Sequence, residues 1–349
     1  VGDVDVGLTR GPVGEIPGER RADDGHVHDE DRPPAPAEQV GDVEHLRPGE
    51  VDRAGRRPRD VQPLLLIAAR SNESFYGLLA RESLGMATTL PAPRKYDPES
   101  PVAHSPNVLR ATALMAIGER ALAEQMLRHQ AKIGRPSEQE DLIAVARHLN
   151  LGGAQFWLAH NGQPGVRVDA ADRYPAPRWT PEHGWRIDPA LAFAHVLQES
   201  SFRAEAVSPA GAIGLMQVRG GTAGDTARAR GDVFSDNLLK RPETNLDHGQ
   251  AYIELIRNSA ATRGQLPKVI AAYNAGPVPV DRWNLANDHG DPLLWIESIP
   301  YWETRFYVPA VLRNMWVYQG LAGAAQPTLH ALAEHRWPAF PTPTQRTIR

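Results

Sequence analysis

Apolar residues between positions 105 and 160 recur at intervals of three and four, the spacing of amphipathic helices. The residues that carry this spacing are Leu109, Ala113, Ala116, Ile117, Leu122, Met126 and Leu127. Ser137 and Glu140 form a capping box ahead of another apolar stretch that reaches Leu149. The pattern therefore predicts two or three packed helices, and a shorter helix within Ser71–Gly85 that ends at its glycine.

The run from Ala190 to Leu197 is apolar on nearly every side. Asp188 and Pro189 precede it as an N-cap and a first-turn residue. A helix that is apolar all round is a buried helix. Because this helix ends at the sequence Gln-Glu-Ser-Ser-Phe, Glu199 is predicted at the edge of a core and near the negative end of a helix dipole.

Two further patterns lie between this helix and residue 257. The segment Ser208–Gln217, SPAGAIGLMQ, predicts a glycine-bearing turn that enters a short helix. Thr244 is expected to cap a helix whose apolar face includes Gly249, Tyr252, Ile253 and Ile256.

The last two helices are predicted from their stop and start signals. One opens near Pro267 and closes at Gly276-Pro277, which places Tyr273 and Asn274 on its last turn. The other runs to about residue 318, and Pro309 within it is expected to require a new first turn.

Residues 1–67 differ in composition from the rest of the chain, because they contain no Phe, Trp, Tyr, Lys, Ser, Asn or Met. Without aromatic side chains and with such high polarity, the segment cannot bury enough apolar surface to offset its ordering entropy, so disorder is predicted. Translation out of frame from a GC-rich gene is a sharper hypothesis, since the missing residues have A/T-rich codons. His26 and His28 beside acidic residues could hold a metal, but a solvated stretch is the favoured interpretation.

The whole chain has 349 residues, a net charge of -4 and no cysteine. This charge gives no reason to expect nucleic-acid binding, and the absence of cysteine excludes disulfides and thiolate metal sites. The longest early apolar run, residues 64–69, is too short to span a membrane and lacks the flanks of a signal peptide.

Glu199 is the candidate for proton-transfer chemistry. Desolvation and the helix dipole both disfavour its carboxylate form, which favours a protonated glutamate near neutral pH, as a general acid requires. For an isolated glutamate, a solvated helix end is the commoner interpretation. The neighbouring motifs reverse that preference.

These motifs are QESSF, SPAGAIGLMQ, NLDHG, AAYNAGP and ESIPYWETRFYV. Together, over residues 185–320, they resemble the soluble lytic murein transglycosylase family. The resemblance implies a mainly α fold with a lysozyme-like catalytic domain at 185–349. It also implies a helical linker domain at 105–184 and a remnant of an α-superhelical domain at 68–104.

The resemblance also implies site residues. The family's single catalytic glutamate falls on Glu199, and its substrate-contacting serine and glutamine fall on Ser208 and Gln217. Its active-site tyrosine falls on Tyr273, with the neutral Asn274 beside it as a further substrate-binding candidate.

Two other positions concern the glycan groove. The glutamate that supports the site falls on Glu303, in the Glu-Thr-Arg motif. Arg219-Gly220 stands where the family usually has Met-Pro, so sugar contacts there are expected to differ.

The implied activity is cleavage of the MurNAc–GlcNAc β-1,4 bond of peptidoglycan with formation of 1,6-anhydroMurNAc ends, in cell-wall turnover. The implied partner is the glycan strand, the implied compartment is the periplasm, and no metal or organic cofactor is implied. Two alternatives stay open: a lysozyme-type muramidase on the same fold, and a non-catalytic glycan-binding fragment.

Overall fold

The computed structural model describes residues 58–162, 166, 168–285 and 288–341. These residues are mostly helical, which confirms the predicted mainly α fold class. The predicted disorder up to residue 57 and the histidines at 26 and 28 lie outside the described residues. Residues 58–67, for which disorder was also expected, belong to a helix.

The first half of the described chain contains six α-helices. They are α1 (Pro58–Ala68), α2 (Phe75–Ser83), α3 (Pro106–Ala116), α4 (Arg120–Ile133), α5 (Gln139–His148) and α6 (Gly152–His160). Short 3-10 turns lie at Pro136–Glu138 and Ala170–Arg173.

The second half contains eight α-helices and one hairpin. The helices are α7 (Pro189–Ser200), α8 (Gly220–Arg230), α9 (Pro242–Arg257), α10 (Leu266–Ala275), α11 (Pro277–Trp283), α12 (Pro292–Glu297), α13 (Trp302–Leu321) and α14 (Pro327–Ala333). The hairpin pairs β1 (Ala212–Ile213) with β2 (Val218–Arg219), and a 3-10 turn lies at Asp236–Lys240.

Helices α3 to α6 pack around a core of their own. The predicted helices are present, but the predicted apolar positions are only partly buried: Leu127 lies in the core, whereas Leu109, Ile117 and Leu122 are exposed. The buried face of α3 instead carries Val108 and Ala111, which pack in the core of the neighbouring helices. The spacing of apolar residues thus located the helices without identifying the face that meets a partner.

The capping box predicted at Ser137 and Glu140 was also wrong. Ser137 lies inside the 3-10 turn, and the Glu138 carboxylate accepts the backbone N–H of Arg135 at 3.1 Å. This single contact lies two residues nearer the N-terminus than the predicted box, and α5 then begins at Gln139.

Helix α7 lies at the centre of the larger core, as its apolar run predicts. Its residues from Pro189 to Val196 are buried, and α13 packs along it. Asp188 caps the helix by accepting the N–H of Ala190 at 2.9 Å, while its second oxygen accepts the side-chain amide of Gln319 at 2.9 Å. The buried helix start is therefore hydrogen bonded as well as apolar.

The segment SPAGAIGLMQ forms the hairpin, so the short helix predicted there was wrong. Gly214 has φ +79° and Gln217 has φ +49°, and these left-handed conformations reverse the chain. Asn245 of α9 holds the turn, because its side chain donates to the carbonyl of Ile213 at 2.8 Å and accepts the N–H of Met216 at 2.7 Å.

Two predictions about helix starts were also wrong. Helix α9 begins at Pro242, so Thr244 is not its cap; the Thr244 hydroxyl donates to Glu182 at 2.7 Å. Helix α13 continues unbroken through Pro309. A proline there removes one helical hydrogen bond, and burial of the neighbouring Val308 and Val311 in the core keeps the helix continuous.

No helix among the described residues combines the length and the apolar character needed to cross a lipid bilayer.

Candidate active site

Glu199 lies on the last turn of α7, where the chain leaves the helix through two left-handed residues. Ser201 has φ 51° and Phe202 has φ 64°. The Phe202 ring is 1 % exposed and packs against Phe193 and Trp179, with ring centroids 6.1 and 6.2 Å apart. The buried ring holds the strained exit, and so fixes the end of the helix that carries Glu199.

The Glu199 carboxyl group is half-buried, and its Oε1 accepts a hydrogen bond from the hydroxyl of Tyr307. Burial raises the pKa of Glu199 to about 7, the Tyr307 hydrogen bond acts in the opposite direction, and the charge of Glu303 raises the pKa further. Glu199 is therefore substantially protonated at neutral pH, as its position at the helix end led us to expect.

Tyr307 and His195 complete a hydrogen-bonded chain with Glu199 that the sequence analysis missed. His195 lies one turn before Glu199 on α7, and its Nδ1 is 2.8 Å from the Tyr307 hydroxyl. Both side chains are buried. The available signal was the four-residue spacing of His195 to Glu199 and of Glu303 to Tyr307, which places each pair on one helix face.

Tyr273 reaches the same site from the last turn of α10, as the Gly-Pro stop predicts. Its hydroxyl donates to the carbonyl of Met216 in the hairpin turn at 2.7 Å, and its ring centroid lies 4.4 Å from that of His195. Burial, followed by the nearby charge of Glu199, raises the pKa of Tyr273 well above its usual value. Tyr273 is thus a neutral group that ties the hairpin to the site.

Asn274 contacts α13 rather than Glu199. Its side-chain oxygen accepts the hydroxyl hydrogen of Thr304 at 2.6 Å. This contact joins the end of α10 to the first turn of α13, which also carries Glu303. Asn274 therefore positions the helix that delivers Glu303 and Tyr307.

Ser208 and Gln217 both form hydrogen bonds within the hairpin region. The Ser208 hydroxyl oxygen accepts the N–H of Ala212 at 3.0 Å. The Gln217 amide donates to the carbonyl of Gly214 at 2.8 Å and to that of Ala206 at 3.4 Å. These contacts shape the turn whose Met216 carbonyl accepts the Tyr273 hydroxyl.

Charged groups are few around this site. Glu303 is exposed on the first turn of α13 and acts on Glu199 through its charge. Arg219 is exposed on β2, and its charge lowers the pKa of Tyr252, which burial otherwise raises. Within the described parts of the chain, no group of three or more His, Asp or Glu residues is arranged to hold a metal ion.

Comparison with known proteins shows which class this fold and site resemble. Residues 180–296 match the family model of the transglycosylase SLT domain. Residues 180–296 are therefore similar to a transglycosylase SLT domain, and the predicted resemblance to the soluble lytic murein transglycosylases is confirmed.

Individual relatives extend the likeness beyond that domain. The soluble lytic murein transglycosylase of Salmonella typhimurium is 30% identical over 285 residues, which cover 76% of this chain and 42% of the relative. The chain thus spans less than half the length of that curated relative.

Two solved structures have the same fold. The crystal structure of the 70 kDa soluble lytic transglycosylase of Escherichia coli matches with a TM-score of 0.67 and 26% identity, over 82% of this chain and 47% of that one. An inactive glutamate-to-glutamine mutant of the lytic transglycosylase Slt from Pseudomonas aeruginosa matches with a TM-score of 0.62 and 28% identity, over 80% and 46%.

Proposed function

We propose that this protein is a lytic transglycosylase that cleaves the MurNAc–GlcNAc β-1,4 bond of peptidoglycan and leaves 1,6-anhydroMurNAc ends. The observation that carries the proposal is the environment of Glu199, a half-buried carboxyl group with a pKa of about 7. The Tyr307 hydroxyl donates a hydrogen bond to this carboxyl group, and the charge of Glu199 raises the pKa of the nearby Tyr273. The resemblance to lytic transglycosylases supports the same conclusion.

The reaction requires one group that is first an acid and then a base. Protonated Glu199 donates its proton to the leaving glycosidic oxygen as the bond from that oxygen to C1 of MurNAc breaks. The resulting carboxylate accepts the proton of the C6 hydroxyl of the same sugar, whose oxygen forms the new bond to C1. No water is consumed, and Glu199 is protonated again at the end of the reaction. Positioned proton transfer of this kind contributes about 10²–10⁴ in rate.

The other site residues have binding and supporting roles in this proposal. Tyr273 and Asn274 line the end of α10, and Glu303 raises the pKa of the acid. Within the hairpin region, the Ser208 hydroxyl oxygen accepts one hydrogen bond and the Gln217 side-chain N–H donates one. We propose that the Ser208 hydroxyl hydrogen and the Gln217 amide oxygen contact the glycan. The mechanism requires no metal or organic cofactor.

The domain boundaries and the location belong to the same proposal. We assign residues 185–349 to the catalytic domain, 105–184 to a linker domain and 68–104 to the remnant of an α-superhelix. The expectation for residues 1–57 falls outside the described residues, and residues 58–67 belong to the helix Pro58–Ala68. Peptidoglycan strands are the partner and cell-wall turnover in the periplasm is the setting, by analogy with the family.

The test is mass analysis of muropeptides released from purified peptidoglycan, with Glu199→Gln as the matched control. We expect products that end in 1,6-anhydroMurNAc, each lighter by one water than the corresponding hydrolysis product, and none from the control. Products with reducing-end MurNAc would make the protein a muramidase. Sedimentation with peptidoglycan without any released product would make it a glycan-binding protein.

A further inference from the structure

His195 is a buried polar residue inside the otherwise apolar run from Ala190 to Leu197 of α7. Its side chain is 0% exposed, its Nδ1 lies 2.8 Å from the Tyr307 hydroxyl, and its ring packs on Tyr273. No described protein group lies within hydrogen-bonding distance of its Nε2. A buried imidazole with one polar contact, made to the group that holds Glu199, indicates a function beyond packing.

The number of protons in this chain of groups is limited. Burial lowers the pKa of His195 to about 3, so near neutral pH the ring has one N–H and one lone pair. Burial, with the charge of Glu199, raises the pKa of Tyr307 well above its usual value, so this hydroxyl keeps its single proton. Two hydrogen bonds, one between His195 and Tyr307 and one between Tyr307 and Glu199, must therefore be made with two hydrogens. Both bonds then have to point in the same direction along the chain.

One direction runs towards Glu199. His195 donates its Nδ1–H to the Tyr307 oxygen, and Tyr307 donates to Oε1 of Glu199. This arrangement holds whether Glu199 is a carboxylate or carries its proton on Oε2. It also leaves Nε2, the nitrogen without a protein partner, with a lone pair instead of an unpaired N–H.

The opposite direction would start at Glu199. It requires a proton on Oε1 that points at Tyr307 and away from a substrate, and it leaves an N–H at the unpaired Nε2 of His195. It fails altogether once Glu199 is a carboxylate, because a carboxylate can only accept. An enzyme that used it would have to rotate Tyr307 in every reaction cycle.

We propose that His195 is a positioning residue that fixes the direction of this chain, so that Tyr307 always donates to Oε1 and Oε2 alone carries the proton of the reaction. The inference rests on the proposed acid and base role of Glu199. It gives the site a preorganised donor that need not reorient between the two half-reactions.

Other titratable groups lie near this chain of hydrogen-bonded side chains. The groups that face it from the neighbouring elements are Tyr307 and Glu303 on α13, Tyr273 on α10, Tyr252 on α9 and, through Tyr252, Arg219 on β2. None of them is within hydrogen-bonding distance of His195 except Tyr307. The Tyr273 hydroxyl is already committed to the Met216 carbonyl.

The first test is direct and needs no turnover. In the full chain labelled with ¹⁵N-histidine, long-range ¹H–¹⁵N correlation spectra report which ring nitrogen carries the hydrogen. The His195 signals are assigned by their loss in His195→Leu. We expect a protonated Nδ1 and a bare Nε2. The opposite tautomer would overturn the proposal.

The second test uses a matched pair of variants. His195→Asn keeps an N–H donor near the position of Nδ1, whereas His195→Leu has a similar size without a donor, and both lose the ring contact with Tyr273. The measured quantity is the pKa of Glu199 from ¹³C carboxyl NMR, with the signal assigned by its loss in Glu199→Gln. Without a donor at position 195, the Tyr307 hydroxyl stabilises the Glu199 carboxylate less. The pKa of Glu199 should therefore be higher in His195→Leu than in His195→Asn by about 0.3 pH unit.

The same pair in a Tyr307→Phe background separates positioning from packing. There the two variants should give the same Glu199 pKa, because the hydroxyl that transmits the effect is gone. If the two variants have the same Glu199 pKa when Tyr307 is present, His195 is only a packing residue. The same conclusion follows if their Glu199 pKa values still differ in the Tyr307→Phe background. Since both tests read hydrogen positions and titration, they succeed or fail independently of whether the protein cleaves peptidoglycan.

Discussion

The Glu199 site and the cluster around Asp247 contain two carboxyl groups whose pKa values move in opposite directions. Burial raises the pKa at both positions. At Asp247, hydrogen bonds from Arg230, Arg186 and His183 outweigh burial and lower the pKa to about 2. Among the described residues, Glu199 has one hydrogen-bonding partner, the neutral Tyr307, and its pKa rises to about 7.

The comparison shows that the donors, more than burial, decide what a carboxyl group can do. Asp247 has its charge matched by cations, and it joins α9 to Arg230 of α8 and to Arg186 ahead of α7. Such a group holds elements together but cannot release and recover a proton near neutral pH. Glu199 has a neutral donor, so both of its protonation states are accessible there.

The largest expected effect follows from replacing the acid itself. Glu199→Gln keeps the shape of the side chain but cannot transfer a proton, so peptidoglycan cleavage should fall by about 10²–10⁴ or more. The release of soluble muropeptides measures this. Circular dichroism of the variant should match the wild type. A well-folded variant with more than a few per cent of the wild-type turnover would remove Glu199 from the proposed role.

Replacing the other carboxyl group should affect stability instead. Asp247→Ala leaves Arg230 and Arg186 without their buried counter-charge, which is expected to cost about 3 kcal/mol in the free energy of unfolding. Denaturant unfolding at pH 7 measures it. Asp225→Ala is the control, because its ion pair with Arg228 is exposed and should be worth less than about 0.5 kcal/mol. Similar losses in both variants would contradict the comparison.

The two groups should also affect stability in different pH ranges. The pKa of Glu199 rises from 4.5 to about 7, so the folded state loses stability as pH rises through this interval. Glu199→Gln should therefore melt at a higher temperature than the wild type at pH 8 and at the same temperature at pH 4. The contribution of Asp247 is present above pH 3.8 and is lost as pH falls towards 2. An advantage for Glu199→Gln that is equal at pH 4 and pH 8 would mean that the raised pKa is absent.

The smallest expected effect concerns the distant charge at the site. Glu303→Gln removes a charge that raises the pKa of Glu199, so the pH above which activity declines should fall by about 0.3 unit. Because Glu303 is exposed, the shift should shrink at high ionic strength. The pH dependence of kcat/KM at two salt concentrations checks this. If the decline of kcat/KM at high pH is unchanged in Glu303→Gln at low salt, the role of Glu303 is purely structural.

Local signals were sufficient where the deciding contacts are local. The buried run of α7 and its Asp188 cap were predictable, as was the stop at Gly276, because each depends on neighbouring residues. Glu199 was placed correctly at the edge of the core for the same reason.

Predictions failed where a distant residue decides. The hairpin turn depends on Asn245, which follows Met216 by 29 residues in the chain. The contact between His195 and Tyr307 spans 112 residues, so no motif window contains both. Helix α3 has apolar residues on two faces. Which face is buried depends on the helices that pack against it, and these cover Val108 and leave Leu109 exposed.

The buried ring of Phe202 has a consequence for how this chain could be divided into fragments. Part of its surroundings comes from outside the SLT match, since a Cβ on Gly152 of α6 would lie 2.9 Å from the ring. Trp179, on another side, also precedes that match. A recombinant fragment started at residue 185 would leave the aromatic anchor of Glu199 open to solvent. The smallest fragment that keeps this ring covered must therefore start upstream of Gly152, well before the boundary that sequence likeness suggests.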